Sequence, residues 1–299
     1  MMKLPAILFA AAAVASAASS PFAGRWDLTV TTPQATYPSW MEFADESPTP
    51  AIRVVGRTGS VHPGTDVKVD GDHLSFKSSE GNWDITVSGH KLSGVQHRSR
   101  GADTQFTGVP APSLKRQPPA AWTAPEALFN GKDLTGWEVD DPSKTYWSAQ
   151  NGELRNDKGG ANIHTTRKFE DLKLHIEYNC PQGGNSGVYL RGRYEVQVEY
   201  EPAGKNDQFH SMGSIYGFLA PSEVLPPKPG DWESYDVTLV GRTVTVIRDG
   251  VKIIDNQEIP GITGGALDSH ESEPGPIYLQ GDHTGGLKYR NITISLPKR

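Results

Sequence analysis

The chain has a single cysteine, Cys180, among its 299 residues. One cysteine cannot form a disulfide within the chain, so a disulfide-stapled scaffold is excluded. Cys180 precedes Pro181 at the end of an apolar segment, and the sequence places no evident histidine beside it to activate the thiol. We therefore assign this thiol a structural role rather than a nucleophilic one.

Long hydrophobic runs are also scarce. Beyond residue 20 no segment is apolar over the roughly 20 residues that a membrane-spanning helix needs. The start of the chain is different, because Lys3 precedes a short apolar core at 6–14 and residues 15–17 read Ala-Ser-Ala, a small-x-small cleavage site. We expect a signal peptide over residues 1–17 and an exported protein, periplasmic or extracellular, with no membrane span.

Positive charge is not in excess. The 29 lysines and arginines are outnumbered by 35 aspartates and glutamates, which gives a formal net charge of −6. This balance argues against a nucleic acid as the ligand.

Helical periodicity is missing after residue 20, whereas turn residues are abundant. The 32 glycines and 23 prolines punctuate short alternating segments, and turn signals recur about every 8–12 positions. This pattern predicts an all-β protein, and a length of 299 residues suggests two domains.

We predict two β domains joined by a linker. Residues 20–110 form a small antiparallel β domain whose role is open, since sugar binding, dimer contact and stabilisation all fit. Prolines make residues 111–126 an extended, semi-rigid linker. Residues 127–297 hold many short strand candidates, one of them at 214–218, which favours two packed antiparallel sheets in a jelly-roll sandwich.

The most informative segment is 194–200, which alternates strictly. Its aromatic and aliphatic residues take one face of a strand, and the other face carries Glu195, Gln197 and Glu199. Alternate residues on a strand lie about 6–7 Å apart, so two carboxylates flank an amide. This spacing suits acid/base chemistry on a sugar, although a sheet with one wetted face fits equally well.

Other polar side chains can reach the same groove. Arg191 ends the preceding strand candidate and shares a face with Tyr189 by parity, so its guanidinium can hold an oxyanion, orient Glu195 or form a plain salt bridge. His283 lies on a glycine-rich loop, where it either meets solvent or, with a usual pKa of about 6.5, transfers a proton. Gln280 is its expected neighbour.

Two further segments supply candidates. Glu177 shares the polar face of a strand with His175, and this face joins the groove or meets water. Arg290 has the parity of the apolar residues that follow it, so it needs a carboxylate partner or a sheet edge. Tyr216 lies in the loop 205–217, which we expect to overhang the groove.

Several short motifs follow one another in an order that resembles a bacterial family. Residues 128–137 read LFNGKDLTGW, 184–191 GNSGVYLR, 194–198 YEVQV, 232–237 WESYDV, 277–283 IYLQGDH and 289–292 YRNI. Together they resemble the DUF1080 family, the 3-keto-disaccharide hydrolase domain, also described as a 3-keto-glucoside 1,2-lyase and 3-keto-2-hydroxy-glucal hydratase. The resemblance covers about residues 126–297 and leaves the first domain out.

The resemblance implies a concanavalin-like jelly-roll fold and an enzyme that cleaves 3-keto-glycosides by elimination. A ketone at C3 acidifies the C2 hydrogen, a base removes it, and the enolate expels the C1 substituent. Water then adds to the enone, so the net result is hydrolysis. Such a site needs a base near C2, an acid for the leaving oxygen, and an arginine or a divalent metal at the carbonyl oxygens.

Under this interpretation Glu195, His283 and Arg191 are the catalytic candidates. Glu195 acts as the general base or as an oxygen ligand to a hard metal, unless it only pairs with an arginine of the cleft. If a divalent metal is present, we expect Glu195 and His283 to bind it; the need for a metal and the oligomeric state are left open. The expected partner is a small saccharide or glycoside. The substrate-binding candidates are Gln197, Glu199, Gln280, Glu177, Tyr189 and Tyr216.

Two other functions fit the sequence. A retaining glucanase of the same fold carries Glu-x-Asp-x-Glu or Glu-x-Asp-x-x-Glu on one strand, with carboxyl groups about 5–5.5 Å apart, and here Gln197 replaces the middle acid. A non-catalytic sugar-binding module needs aromatic platforms, which Trp137, Trp147 and Trp232 can supply.

Overall fold

A computed structural model describes residues 20–45, 50–57, 59–200 and 207–298. Over these ranges the regular secondary structure is made of strands and one short 3-10 helix, and the strand pairs are antiparallel. This confirms the predicted all-β class. Among the described residues no helix is long and apolar enough to cross a membrane. The predicted signal peptide at 1–17 lies outside the described residues.

The N-terminal part of the chain folds into one nine-stranded antiparallel sheet, the N-terminal sheet. Its strands are β1 Gly24–Thr31, β2 Thr36–Ala44, β3 Ala51–Val55, β4 Val61–Pro63, β5 Thr65–Asp70, β6 His73–Ser78, β7 Gly81–Ser88, β8 Lys91–Arg98 and β9 Thr104–Pro110. They pair in the order β4-β3-β2-β1-β9-β8-β7-β6-β5. Alternation builds these strands, as in β7, where Trp83, Ile85 and Val87 are buried and their neighbours are exposed.

The rest of the chain adds thirteen strands and a 3-10 helix at Pro142–Lys144. The strands are β10 Glu126–Ala127, β11 Trp137–Val139, β12 Trp147–Gln150, β13 Glu153–Asn156, β14 Ile163–Thr165, β15 Leu172–Asn179, β16 Asn185–Leu190, β17 Tyr194–Glu199, β18 Trp232–Val240, β19 Thr243–Arg248, β20 Val251–Glu258, β21 Tyr278–Leu279 and β22 Leu287–Ser295. An eight-stranded sheet runs β12-β13-β22-β15-β18-β19-β20, with β10 also paired to β22, and a five-stranded sheet runs β11-β14-β21-β16-β17.

These two sheets pack face to face as a jelly-roll-like sandwich. Leu174 and Ile176 of β15 and Val196 and Val198 of β17 belong to one buried cluster, so the core lies between the eight-stranded and five-stranded sheets. Because side chains alternate along a strand, the opposite face of β17 carries Glu195 away from this core.

The N-terminal sheet is docked onto the sandwich. Trp40 of β2 is completely buried in the same core cluster as the sandwich residues, together with Val55 of β3. The Trp40 ring meets the Phe218 ring edge-on, with centroids 5.2 Å apart. An ion pair from Arg25 to Glu258, 2.6 Å long, adds a polar contact at the edge. The two units are therefore joined by buried apolar surface.

The predicted strand at 214–218 is wrong. The segment is a series of turns that makes only isolated bridges, Ile215 to Val196 and Ile215 to Leu219. Gly213 and Gly217 adopt positive φ angles of 83° and 74°, which interrupt an extended run.

Candidate active site

A cavity of about 290 Å³ lies between the five-stranded sheet and the N-terminal sheet. The sandwich contributes β16, β17 and the turn that follows β21. Glu195 and His283, which were predicted to share one groove, both line this cavity. The polar lining residues of the sandwich include Asn185, Tyr189, Glu195, Gln280, Asp282 and His283.

Glu195 is the buried carboxyl of the cavity, with only 3% of its surface exposed. It stands opposite Tyr189 in the pairing of β16 with β17. The Tyr189 hydroxyl lies 2.8 Å from Glu195 Oε2 and 2.9 Å from the carbonyl oxygen of Gly264. A phenol has one proton, and a carbonyl oxygen only accepts. Glu195 must therefore be protonated whenever Tyr189 donates to Gly264.

Burial raises the pKa of Glu195 to about 8. The hydrogen bond from Tyr189 opposes this shift, and the charges of Glu199 and Asp282 add to it. Removing a carboxylate from water disfavours its charged form. At neutral pH the side chain is thus mostly a neutral acid, and once ionised it is a stronger base than an ordinary carboxylate.

A glycine makes room for this carboxyl. Gly187 stands opposite Gln197 in the β16–β17 pairing, one pleat from Glu195. A Cβ added at Gly187 would lie 2.1 Å from Glu195 Oε1, closer than any side chain can approach. The Glu195 side chain therefore lies directly across Gly187, and a larger residue there would displace the carboxyl group.

His283 is held by the turn that follows β21. Its Nδ1 lies 2.9 Å from Oδ1 of Asp282, and this hydrogen bond raises the pKa of His283 above its usual value, although burial opposes it. The turn itself is fixed by Asn162, whose Oδ1 accepts hydrogen bonds from the backbone N–H groups of Gly281 and Asp282 at 2.7 and 3.1 Å. His283 therefore keeps its proton to a higher pH and can act as an acid.

Gln280 adds an uncommitted polar atom. Its backbone N–H donates to the Gly187 carbonyl at 3.0 Å, which anchors the residue beside β16. Its side-chain Oε1 is buried and has no hydrogen-bond partner among the described residues. A buried polar atom without a partner is costly unless a ligand or water satisfies it, so this atom suits a sugar hydroxyl.

Gln197 and Glu199 do not reach the cavity lining, although both were predicted to bind substrate. Gln197 is 1% exposed and donates from Nε2 to Glu199 Oε2 at 2.7 Å. The pair lies along β17 behind Glu195, on the same face. Its influence on Glu195 is electrostatic, since the charge of Glu199 raises the pKa of Glu195.

The predicted position of Arg191 is wrong. Strand β16 ends at Leu190, and Arg191 enters the turn with a φ of 53°, so strand parity no longer applies. Its Nη2 donates to the Tyr194 hydroxyl at 2.8 Å, and that hydroxyl donates to Glu271 at 2.6 Å. Arg191 is therefore fixed in a buried network on the core side of β17 and does not line the cavity.

Glu177 and Arg290 also lie elsewhere. Both belong to the eight-stranded sheet, where Arg290 Nε donates to Glu177 Oε2 at 2.6 Å on the face turned away from the core. The register of β15 and β22 shifts between His175 and Glu177, and Asn291 has a φ of 50°. This bulge resets the alternation, so Arg290 leaves the apolar face that its sequence parity assigned to it.

Two of the predicted substrate-binding residues, Tyr189 and Tyr216, line the cavity. The backbone N–H of Tyr216 donates to the Glu195 carbonyl at 3.1 Å, so the turns at 207–219 cover β17. Sequence reasoning missed Asn162, Tyr278 and the lining residues of the N-terminal sheet. Tyr278 pairs with Tyr189 across β21 and β16, a contact between distant segments that alternation along one strand does not reveal.

A metal site was left open by the sequence. In the described part of the chain, no three His, Cys, Asp or Glu side chains form a group that could hold a metal ion. Both Glu195 and His283 line the cavity, and they stay the predicted ligands if the protein binds a divalent metal.

The chain is similar to one family of protein domains and to solved structures that are named as glycosyl hydrolases. Residues 124–295 match the family described as the 3-keto-alpha-glucoside-1,2-lyase-like domain. A candidate glycosyl hydrolase from Parabacteroides distasonis is 31% identical, with 61% of this chain and 94% of that chain covered and a TM-score of 0.49. A second one from the same organism is 25% identical, with coverages of 57% and 98% and a TM-score of 0.45. A search of curated proteins found no match.

Proposed function

The chain belongs to the family of 3-keto-alpha-glucoside-1,2-lyase-like domains, and from this membership we propose that it is a carbohydrate-active enzyme that cleaves the glycosidic bond of 3-keto-glycosides. The observation that carries the proposal is the buried Glu195, which lines one cavity with His283 and whose pKa is raised to about 8. A carboxyl group tuned in this way is suited to remove a weakly acidic C–H proton near neutral pH.

In the proposed first step, ionised Glu195 takes the proton from C2 of the 3-keto sugar. The C–H electron pair forms the enolate, which then expels the C1 substituent as the C1–O bond breaks. His283, whose proton is retained through Asp282, gives that proton to the leaving oxygen. Polar groups such as the Gln280 side chain orient the hydroxyls.

In the second step, water adds to C1 of the enone and gives a proton to the His283 imidazole, which restores the protonation state that His283 had at the start. The Glu195 carboxyl exchanges its proton with solvent before this step and then gives a proton to C2, so the carboxylate is regenerated and the net reaction is hydrolysis. The Tyr189 hydroxyl supports both protonation states, because it can donate to the Glu195 carboxylate or turn its proton to the Gly264 carbonyl. This exchange lets one carboxyl act first as base and then as acid.

The retaining-glucanase alternative is less well supported. Retaining chemistry needs two carboxyl groups on either side of the bond, about 5–5.5 Å apart. On β17 the second carboxyl, Glu199, accepts the Gln197 amide and is not part of the cavity lining.

The sugar-binding-module alternative is also less well supported. Trp137 and Trp147 are buried, with indole N–H groups that donate to the carbonyls of Leu128 and Ala161. Trp232 lies on the eight-stranded sheet beneath the Arg290 guanidinium, 4.0 Å from its ring centroid. None of these three rings lines the cavity, so the expected platforms do not face it.

One assay separates these functions. The protein is given a 3-keto-glucoside and its unoxidised parent, each with and without chelator. Turnover of the keto form alone supports the proposal, turnover of the parent supports a glucanase, and binding without turnover supports a module. Loss of keto-glucoside turnover in chelator, restored by a divalent cation, would establish the metal requirement. Glu195→Gln serves as the inactive control, and full activity in that variant would remove Glu195 from the site.

A further inference from the structure

The N-terminal sheet closes one side of the cavity. Tyr37 and Pro38 at the start of β2 and Arg57 and Gly59 after β3 line it opposite Glu195. Building on the proposed function, we propose that Arg57 and Tyr37 bind the leaving-group portion of the glycoside and set specificity there. The family match at 124–295 does not include these residues.

These four lining residues form one wall of the cavity, and this wall is fixed relative to the acid/base groups Glu195 and His283. The backbone N–H of Gly265 donates to the Arg57 carbonyl at 3.2 Å. A Cβ on Gly264 would lie 2.1 Å from the Gly59 carbonyl oxygen, so the two backbones are in direct contact. The Gly264 carbonyl also accepts from Tyr189, the partner of Glu195. One short loop thus ties Arg57 and Gly59 to the catalytic carboxyl.

The side chains of this wall suit recognition rather than proton transfer. The Arg57 guanidinium lies over the Tyr37 ring, 5.4 Å from its centroid, and has no ion pair or side-chain hydrogen bond among the described residues. A guanidinium supported by an aromatic ring keeps a rigid fork of N–H donors. Such a fork is complementary to the hydroxyl and ring oxygens of a second sugar.

Charge in the cavity points the same way. Asp282 lies 2.9 Å from His283, so the carboxylate of the lining already has a partner. Arg57 makes no ion pair among the described residues, and its guanidinium favours an oxygen-rich group. A volume of about 290 Å³ is near the lower end of ligand pockets, which suits one keto sugar at Glu195 with its substituent directed to Arg57.

The test compares two substrates of the full-length protein that share the same keto ring, a methyl 3-keto-glucoside and a 3-keto-disaccharide. Arg57→Ala is expected to raise KM for the disaccharide about 10-fold, since a charge-assisted hydrogen bond is lost. The change for the methyl glycoside should be much smaller, below about threefold, because this ligand ends before the wall. Arg57→Lys keeps the charge without the fork and should give an intermediate KM. Lys68→Ala removes an exposed positive charge of the same sheet outside the cavity, and it should leave the KM for both substrates unchanged.

The outcomes of this test separate the specificity role of Arg57 from the proposed function. Equal KM changes for both substrates, or none for either in folded Arg57→Ala and Arg57→Lys proteins, would overturn the specificity role while leaving the proposed function intact. A wild-type protein that turns over neither keto-glycoside would instead overturn the proposed function and this inference with it. Melting temperatures close to wild type establish that the exposed Arg57 variants are folded.

Discussion

Replacing Glu195 with Gln removes a titrating proton and keeps the shape of the side chain. The folded pKa is about 8, against 4.5 for an ordinary glutamate. Because folding raises this pKa, the native state holds a proton that the unfolded state has released, and the free energy of unfolding falls as pH rises from about 4.5 to about 8. At pH 7 this linkage corresponds to a penalty of about 3 kcal/mol.

Glu195→Gln should therefore be more stable than the wild type in a way that depends on pH. We expect a gain in the free energy of unfolding of about 3 kcal/mol at pH 7 and of less than about 1 kcal/mol at pH 5, measured by denaturant unfolding. Activity should meanwhile fall by about 100-fold or more, as for loss of a general base. A gain that is the same at both pH values would refute the assignment of a buried neutral carboxyl.

Glu177→Gln is the matched control, because the pKa of Glu177 is shifted in the opposite direction to that of Glu195. Burial raises the pKa of Glu177, but hydrogen bonds from Asn291 and Arg290 outweigh it and hold this pKa below its usual value. A lowered folded pKa stabilises the protein above the unfolded pKa and is lost as pH falls. Glu177→Gln should therefore lose stability at pH 7, and its activity should stay near wild type because it lies on the other sheet.

Two further predictions concern the candidate active site, and a third concerns a buried carboxyl of the N-terminal sheet. The pH profile of kcat/KM should rise as Glu195 ionises toward pH 8 and fall as His283 loses its proton, and a flat profile from pH 6 to 9 would contradict this pairing of roles. Gly187→Ala should lower activity by more than about 10-fold, because its methyl group would meet Glu195 Oε1 at 2.1 Å, and unchanged kinetics would show that Glu195 does not lie across this position. Burial and the neighbouring Glu271 carboxyl raise the pKa of Asp27 to about 9, so Asp27→Asn should raise the melting temperature more at pH 8 than at pH 5, and an equal rise would argue against a protonated Asp27 in the folded protein.

The alternation of β17 was readable from sequence because a strand with a polar and an apolar face has a period of two. That period, with the family resemblance, was enough to select Glu195, and the glycine-rich turn selected His283. Period-two reasoning failed where the backbone leaves the extended conformation. Arg191 follows the end of β16 with a φ of 53°, and the bulge at Asn291 reverses the parity of Arg290.

Burial of Glu195 could not be read from its own strand. Its raised pKa depends on segments that are distant in the chain, namely the turns at 207–219, the loop around Gly264 and the N-terminal sheet. The contact between Gly59 and Gly264 joins residues more than 200 positions apart and has no periodic signature. Such docking is specified by shape and by the buried Trp40, which a one-dimensional pattern does not reveal.

The central claim is that Glu195 removes the C2 proton of a 3-keto-glycoside. It is tested most directly by running the reaction in D₂O and examining C2 of the product by NMR at early times, before free keto sugar exchanges spontaneously. Elimination followed by hydration predicts deuterium at C2 with the wild-type protein and none above background with Glu195→Gln. Cleavage by the wild type with the original C2 hydrogen fully retained would contradict the account.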